Sequence, residues 1–169
     1  GGRAHVRAHL NLRAEAKKLA YYDALTGLPN RVLLQDRAEQ ALQKAQRGQG
    51  RVAMLLLDLD NFKSINDSMG HSVGDAVLKE LAWRLSDSSR AIDTVSRQGG
   101  DEFVILLPDV QRFEAIGNCV ERLLATIAQP IEVDGNAYRL SASIGIGVFP
   151  DDSADLEALY RHADAAMYQ

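Results

Sequence analysis

Residues 52–57 of this chain form an unbroken apolar run that ends in Asp58-Leu59-Asp60. A second apolar run, residues 103–107, follows Arg97-Gln98-Gly99-Gly100-Asp101-Glu102. Short continuous apolar runs bounded by turn residues read as strands buried on both faces. The Gly99-Gly100 pair between two strand patterns marks a hairpin, because primed turns need positive φ. Central strands lie about 5 Å apart, so Asp58, Asp101 and Glu102 are expected to converge at one edge of a sheet. Carboxylates gathered there repel unless a cation lies between them. Hard oxygen donors suit Mg²⁺, which takes one or two carboxylates and completes its shell with water and substrate phosphate. Asp58 and Asp60 alone would be a strand end meeting water; the hairpin acids supply the chemistry.

The segment 58–75 adds groups suited to a nucleotide. Lys63 stands close enough to Asp58 in sequence to reach a phosphate. Asp75 could accept from a guanine N1–H and 2-amino group, while Asn66 addresses O6 and N7. Gly70 and Gly74 permit close backbone approach. His71 is either a loop histidine or a nucleotide contact.

Several elements must position these groups. Residues 3–20 are rich in Arg and Lys, contain no Pro or Gly, and read as an exposed helix entering the domain at about residue 23. Gly1-Gly2 reads as an expression remnant. Gly27 and Pro29 break the chain, and Asn30 is placed to cap a helix over about 30–46. A short helix and turn follow the first strand, then a helix over about 73–88. Strands are expected at 93–98 and 102–107, and a helix at about 112–128 that Pro130 ends. Residues 131–133 and 137–149 are expected to pair around Asp134-Gly135, and a last helix to run from about 153 to 168. The class is α/β, an α+β sandwich whose central sheet is mixed but mainly antiparallel, with helices on it.

Bulk properties bound the function. The chain has 169 residues, 46% of them apolar and 25% charged, which suits one globular domain. Its net charge of −4 argues against nucleic acid as a partner. No apolar run reaches the length of a membrane span, and no signal peptide is visible. The single cysteine, Cys119, lies on an apolar helix face and reads as a small buried hydrophobe. Tyr21 and Tyr22 read as packing the entry helix on the domain, Trp83 as helix-surface packing, and 23–31 mainly as a structural turn.

The chain resembles the GGDEF domains, the diguanylate cyclases that make cyclic di-GMP from two GTP. The resemblance covers nearly all of residues 21–168. It rests on Asp23-x-Leu-Thr-Gly-Leu-Pro-Asn-Arg31, the segment 58–75, Gly99-Gly-Asp-Glu-Phe103, Ser143-Ile-Gly-Ile146 and Ala163-Asp-Ala-Ala-Met-Tyr168. It implies a fold like the palm of nucleotidyl cyclases and polymerases. It also implies Mg²⁺ (or Mn²⁺) held by Asp58, the Leu59 carbonyl and Asp101, with Glu102 beside them. Asp101 would also be the base for the GTP 3′-hydroxyl. Asn66 and Asp75 would grip guanine, with Phe62 and His71 contributing to the substrate pocket. Gly99 and Gly100 would let the backbone pass the phosphates, and Lys63 and Arg97 would neutralise charge in the transition state. Arg90-Ala-Ile-Asp93 stands at the family's spacing for a product-inhibition site that binds cyclic di-GMP.

Further implications concern assembly. Each domain of the family holds one GTP, so turnover would need a homodimer. A sensor domain upstream and a phosphodiesterase domain downstream are the expected companions in a larger parent protein. GTP use points to the cytoplasm, with a membrane-anchored parent possible. The family usually continues past Gln169 with a Lys and an Arg that contact phosphate, so residues 23–169 are expected to be a domain cut short at its C-terminus, with 1–22 as a linker helix. Two rivals remain beside the active cyclase. One is a GTP-binding module that regulates a neighbouring phosphodiesterase. The other is a receptor that binds cyclic di-GMP through Arg90 and Asp93 alone.

Overall fold

The computed structural model describes residues 2–48 and 50–167. Gly1, Gln49, Tyr168 and Gln169 lie outside the described residues, and with them the end of the 163–168 motif. The elements in chain order are α1 (Gly2–Tyr21), α2 (Arg31–Arg47), β1 (Arg51–Asp60), α3 (Phe62–Met69), α4 (His71–Asp87), β2 (Thr94–Gly99), β3 (Glu102–Val110), α5 (Glu114–Ala128), β4 (Ile131–Val133), β5 (Asn136–Tyr138), β6 (Ser141–Phe149) and α6 (Leu156–Met167).

Four strands form the main sheet in the order β2-β3-β1-β6, and each of its ladders is antiparallel. β1 is central, as its continuous apolar run requires. Alternate residues of a strand face opposite sides, and both sides of β1 are covered. Ala53, Leu55 and Leu57 belong to a core with α4 and α5, through Val77, Leu81, Leu123 and Ile127. Val52 and Met54 join Val104 and Leu106 of β3 in a second core against Leu34 and Ala38 of α2 and Leu159 of α6. Asp58 is the next even position after Leu56, so its row belongs to the α2/α6 face of the sheet.

Two glycines explain how α6 comes so close to β6. A Cβ on Gly145 would lie 1.9 Å from the Ala163 carbonyl oxygen, and one on Gly147 would lie 2.7 Å from that of Leu159. The Ser143-Ile-Gly-Ile146 motif is therefore a bare track on which a helix backbone rests. Asn30 caps α2 as expected, its side chain accepting from the Leu33 amide. Cys119 is buried in the α4/α5 core, as its helical spacing indicated.

The sheet corrects one pairing. Residues 131–133 do not pair with a long strand over 137–149; they pair only with 136–138, in a separate two-stranded ribbon. The chain breaks at Arg139-Leu140, where Leu140 turns into the core, and 141–149 crosses to pair with β1. A period-two pattern continues through this corner, so sequence alone could not show the change of partner. α1 is exposed along its length, with Val6, Leu10, Leu12 and Leu19 uncovered. Trp83 is likewise exposed on α4, and Tyr21 and Tyr22 are only partly covered.

Candidate active site

The register of the sheet brings the acids together. Asp58 is paired with Glu102 across β1 and β3, and the Leu59 amide donates to the Asp101 carbonyl at 3.2 Å. Gly99 and Gly100 both have positive φ, at 148° and 52°, which is the freedom this turn needs. The turn delivers Asp101 and Glu102 to the end of β1. Asp60 goes elsewhere: it accepts from the hydroxyls of Ser141 at 3.0 Å and Ser143 at 2.9 Å. Of the two acids that end β1, Asp58 is thus the one left facing the hairpin.

The electrostatics show crowding. Burial pushes the Asp58 carboxyl up to about 6, and the Asp101 charge, a hydrogen bond shared with Asp101, and the charges of Glu102 and Asp60 push the same way. Every cause is unfavourable to the ionised form, so a positive charge placed here would be welcome. Among the described residues no three ligating side chains close into a metal cage. The donor set is a carboxylate pair beside a third acid. It fits a cation that draws the rest of its shell from water and a phosphorylated substrate, which is the habit of Mg²⁺.

Asn66 and Asp75, the pair expected to read a base, lie on α3 and α4, which meet at Gly70. Asn66 Oδ1 is buried and has no hydrogen-bond partner. A Cβ on Gly74 would come 1.8 Å from that oxygen, so glycine there lets the two helices close. With its carbonyl turned in against Gly74, Asn66 offers its amide nitrogen to an acceptor. Asp75, next to Gly74 on α4, is exposed, as are His71 and Lys63. Phe62 differs: its ring is buried in the α4/α5 core and lies 3.3 Å from the same Gly74 Cβ position. It packs beneath Gly74 and is not open to a ligand.

A cleft of about 870 Å³ opens beside Asp58 and Glu102, between α2, α6 and the sheet. That is the size range of small-molecule sites. Arg31, Tyr160 and Arg161 line it. Burial raises the Tyr160 hydroxyl above its ordinary range, and Arg31 opposes the shift. Tyr160 and Arg161 were not singled out from sequence. The signal that could have found them is their place one turn before the 163–168 motif.

Arg97 is already engaged. Its guanidinium donates to both Asp23 carboxylate oxygens, at 3.0 and 3.1 Å, and to the Gly100 carbonyl, at 3.1 and 2.9 Å. Arg90 and Asp93 lie at the far end of the β2–β3 ladder and pair with each other at 2.7 Å. Arg90 also donates to the Pro108 carbonyl at 3.0 Å. They line a second hollow of about 430 Å³ together with Arg112 and Arg122. Sequence reading missed these two arginines. Arg122 is three residues past Cys119 on α5, so it shares that residue's side of the helix.

Known proteins resemble this chain over most of its length. The family described as "Diguanylate cyclase, GGDEF domain" matches residues 20–169. A relative from Pseudomonas aeruginosa, the bifunctional diguanylate cyclase/cyclic di-GMP phosphodiesterase MucR, is 47% identical over 91% of this chain and 22% of its own length. The diguanylate cyclase DgcP of the same organism is 41% identical over 95% of this chain and 24% of its own. The chain thus spans about a quarter or less of these relatives. The solved GGDEF domain of TpbB from Pseudomonas aeruginosa superposes with a TM-score of 0.85 at 38% identity, covering 88% of this chain and 87% of that one.

Proposed function

Since the chain belongs to the GGDEF family of diguanylate cyclases, we propose that it binds one GTP and, paired with a second copy, condenses two GTP into cyclic di-GMP and two pyrophosphates. The observation that carries this reading is the register that sets Asp58 opposite Glu102, with Asp101 at the adjoining turn, beside an open cleft. That crowding pushes the Asp58 carboxyl up to about 6, through burial and then through Asp101 and Glu102. Such crowding is a cost to the fold alone and an asset once cation and phosphate arrive.

In each half of the reaction a ribose 3′-oxygen bonds to the α-phosphorus of the partner GTP. The bond from that phosphorus to the bridging oxygen breaks, and pyrophosphate leaves with the electron pair. The 3′-hydroxyl proton passes to Asp101. Asn66 and Asp75 hold guanine, His71 borders the pocket, and Lys63 offsets the negative charge on the phosphates. Asp58, the Leu59 carbonyl and Asp101, with Glu102 beside them, would hold Mg²⁺ or Mn²⁺. When bound, the ion neutralises phosphate charge and favours loss of the hydroxyl proton. The rest is positioning and preset charge, which supply most of the acceleration in such a step.

Arg90 and Asp93, with Arg112 and Arg122 around the same hollow, would take cyclic di-GMP as inhibitor. Three guanidiniums suit a phosphodiester dianion. Residues 1–22 would be the linker helix that joins a sensor domain, and 23–169 the catalytic domain. Among the described residues no helix is long and apolar enough to cross a membrane. A cytoplasmic site follows from GTP as substrate.

The test is GTP turnover with Mg²⁺ at high protein concentration, following cyclic di-GMP and pyrophosphate, with Asp101→Ala as control. Product from the wild type alone supports the cyclase. GTP binding without product in a chain forced to dimerise would overturn it and leave a GTP-binding regulatory module. That second reading has one point in its favour: MucR combines a cyclase with a phosphodiesterase.

A further inference from the structure

The catalytic hairpin cannot set its own shape. Gly99 and Gly100 have positive φ and no side chains, so whatever fixes the turn must come from outside it. Arg97 supplies that grip. Its Nε and Nη2 both donate to the Gly100 carbonyl, and its Nη1 donates to Asp23. All three nitrogens are engaged and the side chain is only 12% exposed, so the guanidinium is directed mainly at the turn and at Asp23. The Arg97 backbone amide also donates to the Pro29 carbonyl at 3.1 Å.

Asp23 is equally committed. Its Oδ2 accepts from the Thr26 amide at 2.9 Å and the Thr26 hydroxyl at 2.7 Å. Burial would raise its carboxyl, yet Thr26 and Arg97 together hold it below the usual range. The turn that carries Asp23 is tied to α1 through Asn30, whose amide nitrogen donates to the Ala20 carbonyl at 2.9 Å. Its backbone N–H donates to the Tyr21 carbonyl, also at 2.9 Å. The chain of bonds therefore runs from the end of α1, through the 22–30 turn, into the glycine pair.

We propose that Asp23 is a positioning residue for the catalytic hairpin. Through the Arg97 guanidinium it fixes the Gly100 carbonyl and so holds Asp101 and Glu102 against Asp58. Arg97 then acts by shaping the turn, in place of the phosphate contact expected from the family resemblance. The catalytic consequence rests on the cyclase reading; the positioning itself does not. A misplacement of about 1 Å can cost about 100-fold in rate, so loss of the brace is expected to act on kcat.

The informative variant is Asp23→Asn. Its carbonyl oxygen can still accept from Thr26, so the turn survives. Its NH₂ then replaces the Oδ1 acceptor, donor against donor, so the charge and one of the two bonds to Arg97 are lost and the brace weakens. Arg97→Lys keeps the charge but cannot hold Asp23 and the Gly100 carbonyl with one fork. Both variants would be compared with the whole wild-type chain by backbone amide order parameters without nucleotide, Mn²⁺ affinity, and kcat and KM for GTP. In Asp23→Asn we expect order parameters at Gly100 and Asp101 to fall from about 0.85 to below about 0.6, with β1 unchanged. Mn²⁺ should bind several-fold more weakly, and kcat should fall about tenfold to 100-fold with KM nearly constant. Arg97→Lys should give a smaller loss of the same kind.

Unchanged order parameters and Mn²⁺ affinity in Asp23→Asn would overturn the proposal, whether or not the wild type turns over. So would a mobile hairpin with intact kcat, or loosening spread evenly over the sheet, which marks a merely structural tie. A wild type that makes no cyclic di-GMP would instead sink the cyclase reading, and the hairpin motion and Mn²⁺ affinity would still decide the role of Asp23.

Discussion

The β2–β3 ladder carries charged groups at both ends, and the two ends are built on opposite plans. At the hairpin end, Asp58, Asp101 and Glu102 crowd together, and burial with its two neighbours makes Asp58 harder to ionise. At the far end, Arg90 and Asp93 satisfy each other in a fork of hydrogen bonds, and the Asp93 side chain is 1% exposed. The first end is incomplete without a ligand. The second is complete by itself and must reopen its pairing to take one. Under the proposed function, the difference would let one sheet serve both turnover and control. Unbalanced charge would favour a ligand that brings cations and then leaves changed. Balanced charge would give a receptor that waits at little cost to the fold.

The largest effect that would test this contrast is at the hairpin. Asp101→Asn should lower cyclic di-GMP formation by at least about 1,000-fold, since it removes both proposed base and ligand. Calorimetry should still detect cyclic di-GMP binding at the Arg90 end. Loss of both together would mean that the two ends are not separate. Next comes the far end itself. Arg90→Ala strands a buried Asp93 carboxylate, and truncating one partner of a buried pair is costly. The inhibition constant for cyclic di-GMP should rise about tenfold or more in a turnover assay.

Gly74→Ala ranks third. The new methyl meets Asn66 Oδ1 at 1.8 Å, so α3 must shift at an overpacking cost of about 1–3 kcal/mol. Titration calorimetry should show GTP binding weakened by roughly tenfold, with a lower melting temperature. The smallest effect sharpens the charge argument directly. A carboxyl raised in the folded state favours folding when protonated, and that advantage disappears as pH rises through its folded value. Asp58 therefore weighs against the metal-free fold increasingly as pH rises from about 3.8 to about 6, and fully above that. Asp58→Asn should raise the melting temperature of the metal-free protein by a few degrees at pH 8, and by roughly half as much at pH 5. An equal gain at both would mean that crowding of charge is not the cause.

Much of the fold could be read from periodicity. The buried β1, the α2 stripe and the Cys119 face all follow from spacing, because each element buries one face or both in a uniform environment. The corner at Arg139-Leu140 could not be read, since its alternation is the same whether one strand continues or two part company. In the site, residue types announced the acids and the glycine pair. They did not announce that Asp60 would be taken by two serines on β6, that Phe62 would sink beneath Gly74, or that Arg112 and Arg122 would surround Arg90. Those depend on neighbours far away in the chain.

By itself, then, the sequence determined which chemistry the chain carries: acids where apolar strands end, glycines where a turn needs positive φ, and the motif set of a nucleotide cyclase. Tertiary structure alone decided which groups are free to act. Asp58 and Asp60 are the same residue type two positions apart on one face of β1, yet only Asp58 faces the hairpin, because the β1–β3 pairing ends at Asp58 opposite Glu102 while Asp60 is taken by the hydroxyls of Ser141 and Ser143 on β6. Arg97 and Arg90 are both arginines beside the same strand. One is bound to the catalytic turn and the other to its own aspartate, since a guanidinium goes to whichever carbonyls and carboxylates the folded backbone brings within about 3 Å.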